Sequence, residues 1–166
     1  MNRYRFLALP GYCIGIFLIV VPVMDTLLST MPLSPSIVGW RFGALGLLAN
    51  AFMTPLVGLF MLLALAAALD HRGAIRTLAL LSAVAAVCIL LGLGLFVLDT
   101  VQMRSQVRAQ AKTTFDKATL VAIAKYLFTA VVLAIVGIKG WKASRRSGRE
   151  AALVDSQFLV PSVQKP

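Results

Sequence analysis

Apolar residues form four long runs along the chain, each long enough to cross the hydrocarbon core of a bilayer. A helix needs about 20 residues, at 1.5 Å each, to cross it. The runs cover approximately residues 6–28, 42–69, 77–98 and 118–138. They lack the polar face of a soluble amphipathic helix, and they are too long for buried strands. The pattern therefore predicts four transmembrane helices.

Short polar connections separate the runs and indicate how the helices are arranged. Only residues 70–76 join the second run to the third, which permits nothing but an antiparallel hairpin. Residues 29–41 contain two prolines and predict an irregular loop. We therefore expect an all-α integral membrane protein, with four transmembrane helices in an antiparallel bundle over residues 1–138. Residues 139–166 are then a basic juxtamembrane C-terminal tail.

Composition and charge support a lipid environment and give it a direction. Of the 166 residues, 60% are hydrophobic and 13% are charged, whereas soluble domains have about 45–50% and about 25%. A soluble enzyme, a disordered chain and a DNA-binding domain all fit these values poorly. The net charge is +10, and nine flanking cations lie on the side of both termini against five on the other. Because cations favour the cytoplasmic side, we expect both termini in the cytoplasm, in a bacterial inner membrane.

Three charged or carboxamide side chains fall inside the runs, where each is costly in lipid. They are Asp25, Asn50 and Lys125, all in the half nearer the non-cytoplasmic face. The stem of Lys125 can carry its ammonium outward to lipid phosphates. A second interpretation pairs Lys125 with Asp25 or Asp99 and so ties two helices together. A transport site built from the three side chains is a further alternative.

Small residues four positions apart occur in every run. Such pairs let helices approach closely, either within one bundle or against partner helices. The pairs are Gly11 and Gly15, Ala64 and Ala68, Ser82 and Ala86, Cys88 and Gly92, Ala118 and Ala122, and Ala130 and Ala134. Pro22 and Pro55 predict bends in the first and second helices, as simple kinks or as part of a gate or pocket.

The connection between the third and fourth runs repeats the order Gln, apolar, cation, small residue three times. On a helix, Arg104, Arg108 and Lys112 would form one cationic ridge beside an apolar stripe. The repeat therefore predicts a basic extramembrane helical segment between helices 3 and 4, either as an extension of the third helix or as a surface helix. That segment would lie in the lipid headgroups or dock on an acidic neighbouring subunit.

A second basic segment begins the C-terminal tail. Trp141, Arg145 and Arg146 have the pattern of an interfacial anchor attracted to anionic lipids, and they are candidate contacts for lipid headgroups or a partner. No stacking aromatic residues alternate with these cations, so we expect no binding of nucleic acid.

Residues that carry chemistry are scarce. His71 is the only histidine, Glu150 is the only glutamate, and Cys13 and Cys88 lie singly within runs. We find no paired acid and base, no activated nucleophile, no metal-ligand spacing and no phosphate-binding glycine loop. The sequence therefore predicts neither catalytic residues nor a metal site, and no enzyme. It encodes no cofactor by motif, although bound lipids or pigments are compatible with apolar clefts between helices.

These observations favour a non-catalytic accessory or structural subunit that docks in a larger multi-subunit membrane complex. An energy-transducing complex of the respiratory or photosynthetic type is the expected setting, with other membrane subunits and lipids as partners. The alternative is a small four-helix transporter or channel that uses the three intramembrane polar residues.

Overall fold

The structure, a computed structural model, describes the backbone of residues 5–158 and the side chains of residues 8–142. Over this range the chain is helical and contains no strand, which confirms the all-α prediction. The helices are α1 Arg5–Ser29, α2 Val38–Ala51, α3 Met53–Ala68, α4 Arg72–Arg104 and α5 Lys112–Phe158, with a short 3-10 helix at Ala109–Ala111.

Three helices, α1, α4 and α5, are long and apolar enough to cross a membrane. Together α2 and α3 form a fourth candidate span, but one that is bent by 43°. The sequence predicted a single second helix with a bend at Pro55. The break falls at Phe52, one turn earlier, because Pro55 has no N–H for the carbonyl of Ala51 and its ring crowds that carbonyl. By contrast, α1 continues through Pro22 without a break.

Small residues set the closest contacts between helices. A Cβ added to Gly58 of α3 would lie 2.8 Å from the carbonyl oxygen of Gly15 in α1. A Cβ added to Gly140 of α5 would lie 2.9 Å from the Cβ of Ala79 in α4. Gly15 therefore lies at a contact between two helices of the same chain. Packing within one bundle was one of the two alternatives predicted for the pairs of small residues, and contact with partner helices was the other. Ala64 and Ala68, by contrast, are exposed.

Two clusters of buried side chains form the core. One joins Ala49 and Phe52 to Phe96 and Tyr126, and thus connects the bent pair to α4 and α5. The other contains Leu56, Leu59, Ala86 and Leu133. Large apolar side chains elsewhere on α1, α4 and α5 are exposed, as expected for helices whose outer surfaces face lipid.

The basic connection after α4 is not the helical ridge that the repeat predicted. α4 does extend beyond residue 98, but it ends at Arg104. Arg108 has extended backbone angles, φ −60° and ψ 145°, before the 3-10 helix. The chain must reverse here so that α5 can pack antiparallel along α4, and a helix continuous to Lys112 would prevent that reversal. Arg104, Arg108 and Lys112 therefore lie on three different elements.

At the other end, α5 continues without interruption through residue 139 to Phe158. The helix therefore runs on into the segment that the sequence assigned to a separate tail. Arg145 and Arg146 lie outside the residues whose side chains are described, and residues 159–166 lie outside the described backbone.

Candidate functional site

The strongest polar contact is an ion pair between α2 and α4. Arg41 donates to Asp99 through two nitrogens, with Nη2 2.7 Å from Oδ1 and Nε 3.0 Å from Oδ2. Arg41 also donates to the carbonyl oxygen of Pro35 at 2.9 Å. The side chain of Asp99 is only 3% exposed, while that of Arg41 is 30% exposed. Because both Asp99 oxygens are engaged, the buried carboxylate is fully paired.

We use this pair to name the two ends of the molecule. The end that contains Arg41 and Asp99 is the Asp99 end, and the opposite end, where α3 turns into α4, is the His71 end. In the sequence, Arg41 is one of the five flanking cations on the side opposite the termini, and its pairing with Asp99 was not predicted. Its position at the start of the second run, with Asp99 at the end of the third, is the signal that would have found the pair, since an antiparallel arrangement brings those positions together.

A second polar contact joins α2 to α5. The Lys125 ammonium lies 2.7 Å from Oδ1 of Asn50, and the Asn50 amide lies 3.4 Å from the carbonyl oxygen of Gly46. Beside it, the hydroxyl of Tyr126 donates to the carbonyl oxygen of Leu45 at 2.8 Å. The bond between Lys125 and Asn50 lies within the candidate spans and joins α2 to α5.

The predicted charge pair of Lys125 with Asp25 or Asp99 is wrong within this chain. Arg41 occupies Asp99, and Asn50 supplies the partner of Lys125. Asp25 is exposed on α1 and forms no ion pair or hydrogen bond with any side chain described. Of the three intramembrane polar residues, the structure therefore brings two together and leaves the third apart.

The residues predicted to contact lipid headgroups or a partner lie in different places in the structure. Arg104 pairs with Asp116 at 2.9 Å, in a contact exposed to solvent. Arg108 and Lys112 are exposed. At the His71 end, the guanidinium of Arg76 lies 4.9 Å from the centre of the Trp141 ring, which places Trp141 in a cation–π contact.

An apolar groove opens between the helices and has a volume of about 430 Å³. Its walls come from α1, the bent pair, α4 and α5, and include Val23, Pro55, Leu81 and Cys88. Thr129 also lines it, and its buried hydroxyl has no hydrogen-bond partner among the described residues. Among the residues whose side chains are described, no charged side chain lines the groove, so the chemistry of the groove suits hydrocarbon and not a dissolved ion.

Groups with catalytic or metal-binding chemistry are dispersed in the described part of the chain. His71 accepts or donates one hydrogen bond, at 3.1 Å, with the hydroxyl of Tyr12. Cys13 and Cys88 are free thiols. Among the described residues, no three His, Cys, Asp or Glu side chains lie close enough together to hold a metal ion.

Comparisons with known proteins identify no relative of this chain. No family model, no curated protein and no solved structure matches the chain.

Proposed function

We propose that the protein is a non-catalytic helical subunit that docks in a larger membrane complex. The observation that carries this proposal is how the polar side chains inside the candidate spans are used. Arg41 and Asp99 bond to each other, Lys125 bonds to Asn50, and Tyr126 bonds to the backbone of α2. These groups join helices and leave a groove without charges, which favours a scaffold over a conducting path.

The same proposal includes four spans, with α2 and α3 together crossing the membrane as one bent span. Both ends of the chain then lie on the His71 side, together with nine of the flanking cations against five on the other side. The excess of cations favours the cytoplasm for this side. Arg108 and Lys112 then face the opposite side, where they are candidate contacts for an acidic subunit.

Purification in a mild detergent, followed by native mass measurement, tests the docking function. We expect the protein to co-purify with at least one identified membrane protein in fixed stoichiometry. Replacing Arg108 and Lys112 by Glu is expected to reduce that stoichiometry, whereas Lys117→Glu, at an exposed cation on α5, is the matched control. A particle that contains this chain alone in native membranes would refute docking.

A transporter or channel is the second candidate, and one observation favours it. The bend at Phe52 lies only two residues from Asn50 and its bond to Lys125. Bent or discontinuous spans beside polar residues are typical of transport sites. Flux of potassium and chloride through proteoliposomes that contain the purified protein tests this function. Flux above that of empty vesicles, and lost in Lys125→Met, would favour transport over docking.

A further inference from the structure

The ammonium of Lys125 has no carboxylate partner in the described part of the chain. Its bond is to the neutral amide of Asn50, while Asp99 is paired with Arg41 and Asp116 is paired with Arg104. A cation held inside a membrane span is costly unless an opposite charge approaches it. The counter-charge must therefore come from outside this set of contacts.

A matching carboxylate is exposed at the same height. The antiparallel contact of Gly15 with Gly58 fixes the register of α1 against the bent pair. From Gly15 to Asp25 the helix rises by about 15 Å, and from Gly58 back to Asn50 by about 12 Å. Asp25 and Asn50 therefore lie within about one helical turn in height, so Asp25 of one molecule and Lys125 of another would share a plane of the membrane.

The surface of α2 beside Asn50 carries three glycines, with the exposed side chain of Leu47 at its edge. Gly39, Gly43 and Gly46 lie on the same helix face as Asn50, at spacings of four, three and four residues. A Cβ added to any of the three glycines would meet no atom within 4 Å. We call these three residues the glycine face. In lipid, such a face lets another helix backbone approach closely.

The face of α1 that carries Asp25 has the complementary shape. Val21 and Leu28 lie four residues before and three residues after Asp25, on the same side of the helix. Both are exposed, Val21 by 42% and Leu28 by 63%. Large side chains on one helix and glycines on the other can interlock, because the glycines leave room for the branched groups.

From this complementarity in charge, height and shape, we propose that the protein self-associates in the membrane. Asp25 of one copy pairs with Lys125 of a second copy, and α1 of the first lies on the glycine face of the second. The ion pair that the sequence predicted within one chain then forms between two chains. This association requires no other subunit and is independent of the docking function.

Mixing two charge-reversal variants tests the pair directly. Copies labelled with donor or acceptor dyes are reconstituted in phosphatidylcholine vesicles, and association is measured by energy transfer. We expect Asp25→Lys alone and Lys125→Asp alone to associate at least tenfold more weakly than the wild type. A mixture of the two variants should associate to within threefold of the wild type, because each copy then supplies the charge that the other lacks.

The glycine face supplies a second test that does not alter charge. Gly43→Leu should reduce association at least tenfold by blocking the approach of α1. Gly94→Leu is the matched control, since a Cβ at Gly94 on α4 also meets no atom within 4 Å, and it should associate like the wild type. This comparison decides the proposal if a charge-reversal variant does not fold.

Four results would overturn self-association. The first is wild-type protein without energy transfer in these vesicles. The second is a mixture of folded charge variants that associates no better than each variant alone. The third is equal association of the Gly43 and Gly94 variants. If native mass measurement instead finds phosphatidylglycerol retained by the monomer and lost in Lys125→Met, the counter-charge is a lipid phosphate and the proposal is wrong.

Discussion

The two ends of the molecule hold their helices together in different ways. At the Asp99 end, charged and hydrogen-bonding side chains connect α2 to α4 and α5, through Asp99 and Asn50. At the His71 end, Gly137 and Gly140 of α5 approach the backbone of α4 near Ala79. Lipid tails are as apolar as leucine, so no hydrophobic force drives helices together in a membrane. The Asp99 end therefore relies mainly on paired polar side chains. The His71 end relies mainly on close glycine contacts, to which the Arg76–Trp141 and Tyr12–His71 contacts add.

The comparison indicates that polar pairs and small residues have different effects on how the helices pack. A polar pair specifies which helices meet, because an unpaired charge in lipid is expensive. Small residues set how closely helices pack, because dispersion forces require short distances. Changes at the Asp99 end should therefore cost the energy of unpaired polar groups, whereas changes at glycine contacts should cost steric strain.

The largest effect is expected from Arg41→Met. This change leaves the carboxylate of Asp99, which is only 3% exposed, without its partner, and an unpaired buried charge typically costs about 3–5 kcal/mol. The free energy of unfolding in mixed micelles, followed by circular dichroism, measures the loss. A variant as stable as the wild type would show that the pair does not hold the Asp99 end together.

A smaller loss is expected when a methyl group is added at the glycine contact between α1 and α3. Gly58→Ala places a Cβ 2.8 Å from the Gly15 carbonyl oxygen, and overpacking of this kind costs about 1–3 kcal/mol. Gly94→Ala, in open space, should change stability by no more than about 0.5 kcal/mol. Equal losses at Gly58 and Gly94, measured in the same unfolding assay, would rule out close packing as the force between these helices.

Tyr126→Phe tests a single neutral hydrogen bond at the Asp99 end. The change removes the bond to the Leu45 carbonyl oxygen and keeps the ring contacts with Phe52 and Phe96. We expect a loss of about 1 kcal/mol in the free energy of unfolding. A loss as large as that of Arg41→Met would remove the distinction between charged and neutral contacts.

The smallest effect is expected for the exposed pair of Arg104 and Asp116. Asp116→Asn should cost less than about 1 kcal/mol, because water and salt screen an exposed pair. The loss should shrink further when sodium chloride is raised from low to high concentration during the unfolding measurement. A loss that does not depend on salt would place this pair in a buried environment, contrary to its exposure.

Helix content could be predicted from the sequence because the apolar runs are long and almost free of charges. Pro55 predicted that the second helix bends, but it did not predict that the break falls at Phe52. Proline chemistry does not fix the residue at which a helix divides. The prediction that Arg104, Arg108 and Lys112 form one helical ridge was wrong, because residue spacing does not reveal where the chain must reverse direction. Arg108 lies in that reversal.

The sequence predicted only some members of the candidate site, and it missed Arg41 and Tyr126. The sequence singled out Asn50 and Lys125 as polar residues in lipid, and the structure places them 2.7 Å apart. It did not choose between Asp25, Asp99 and lipid as the partner of Lys125, because partner choice depends on how helices are rotated. The rotation of the helices also decides that Asp99 pairs with Arg41 and not with Lys125. No local sequence pattern specifies such a rotation.

A double-mutant cycle on Arg41 and Asp99 tests most directly whether polar side chains join the helices at the Asp99 end. Arg41→Met, Asp99→Leu and the double variant are compared with the wild type by free energy of unfolding in mixed micelles. We predict that Arg41→Met costs about 3 kcal/mol or more and that Asp99→Leu costs less, because the guanidinium that it leaves unpaired is 30% exposed. The double change should cost well below the sum of the two, because neither charge is then left unpaired. Additive losses would contradict this account.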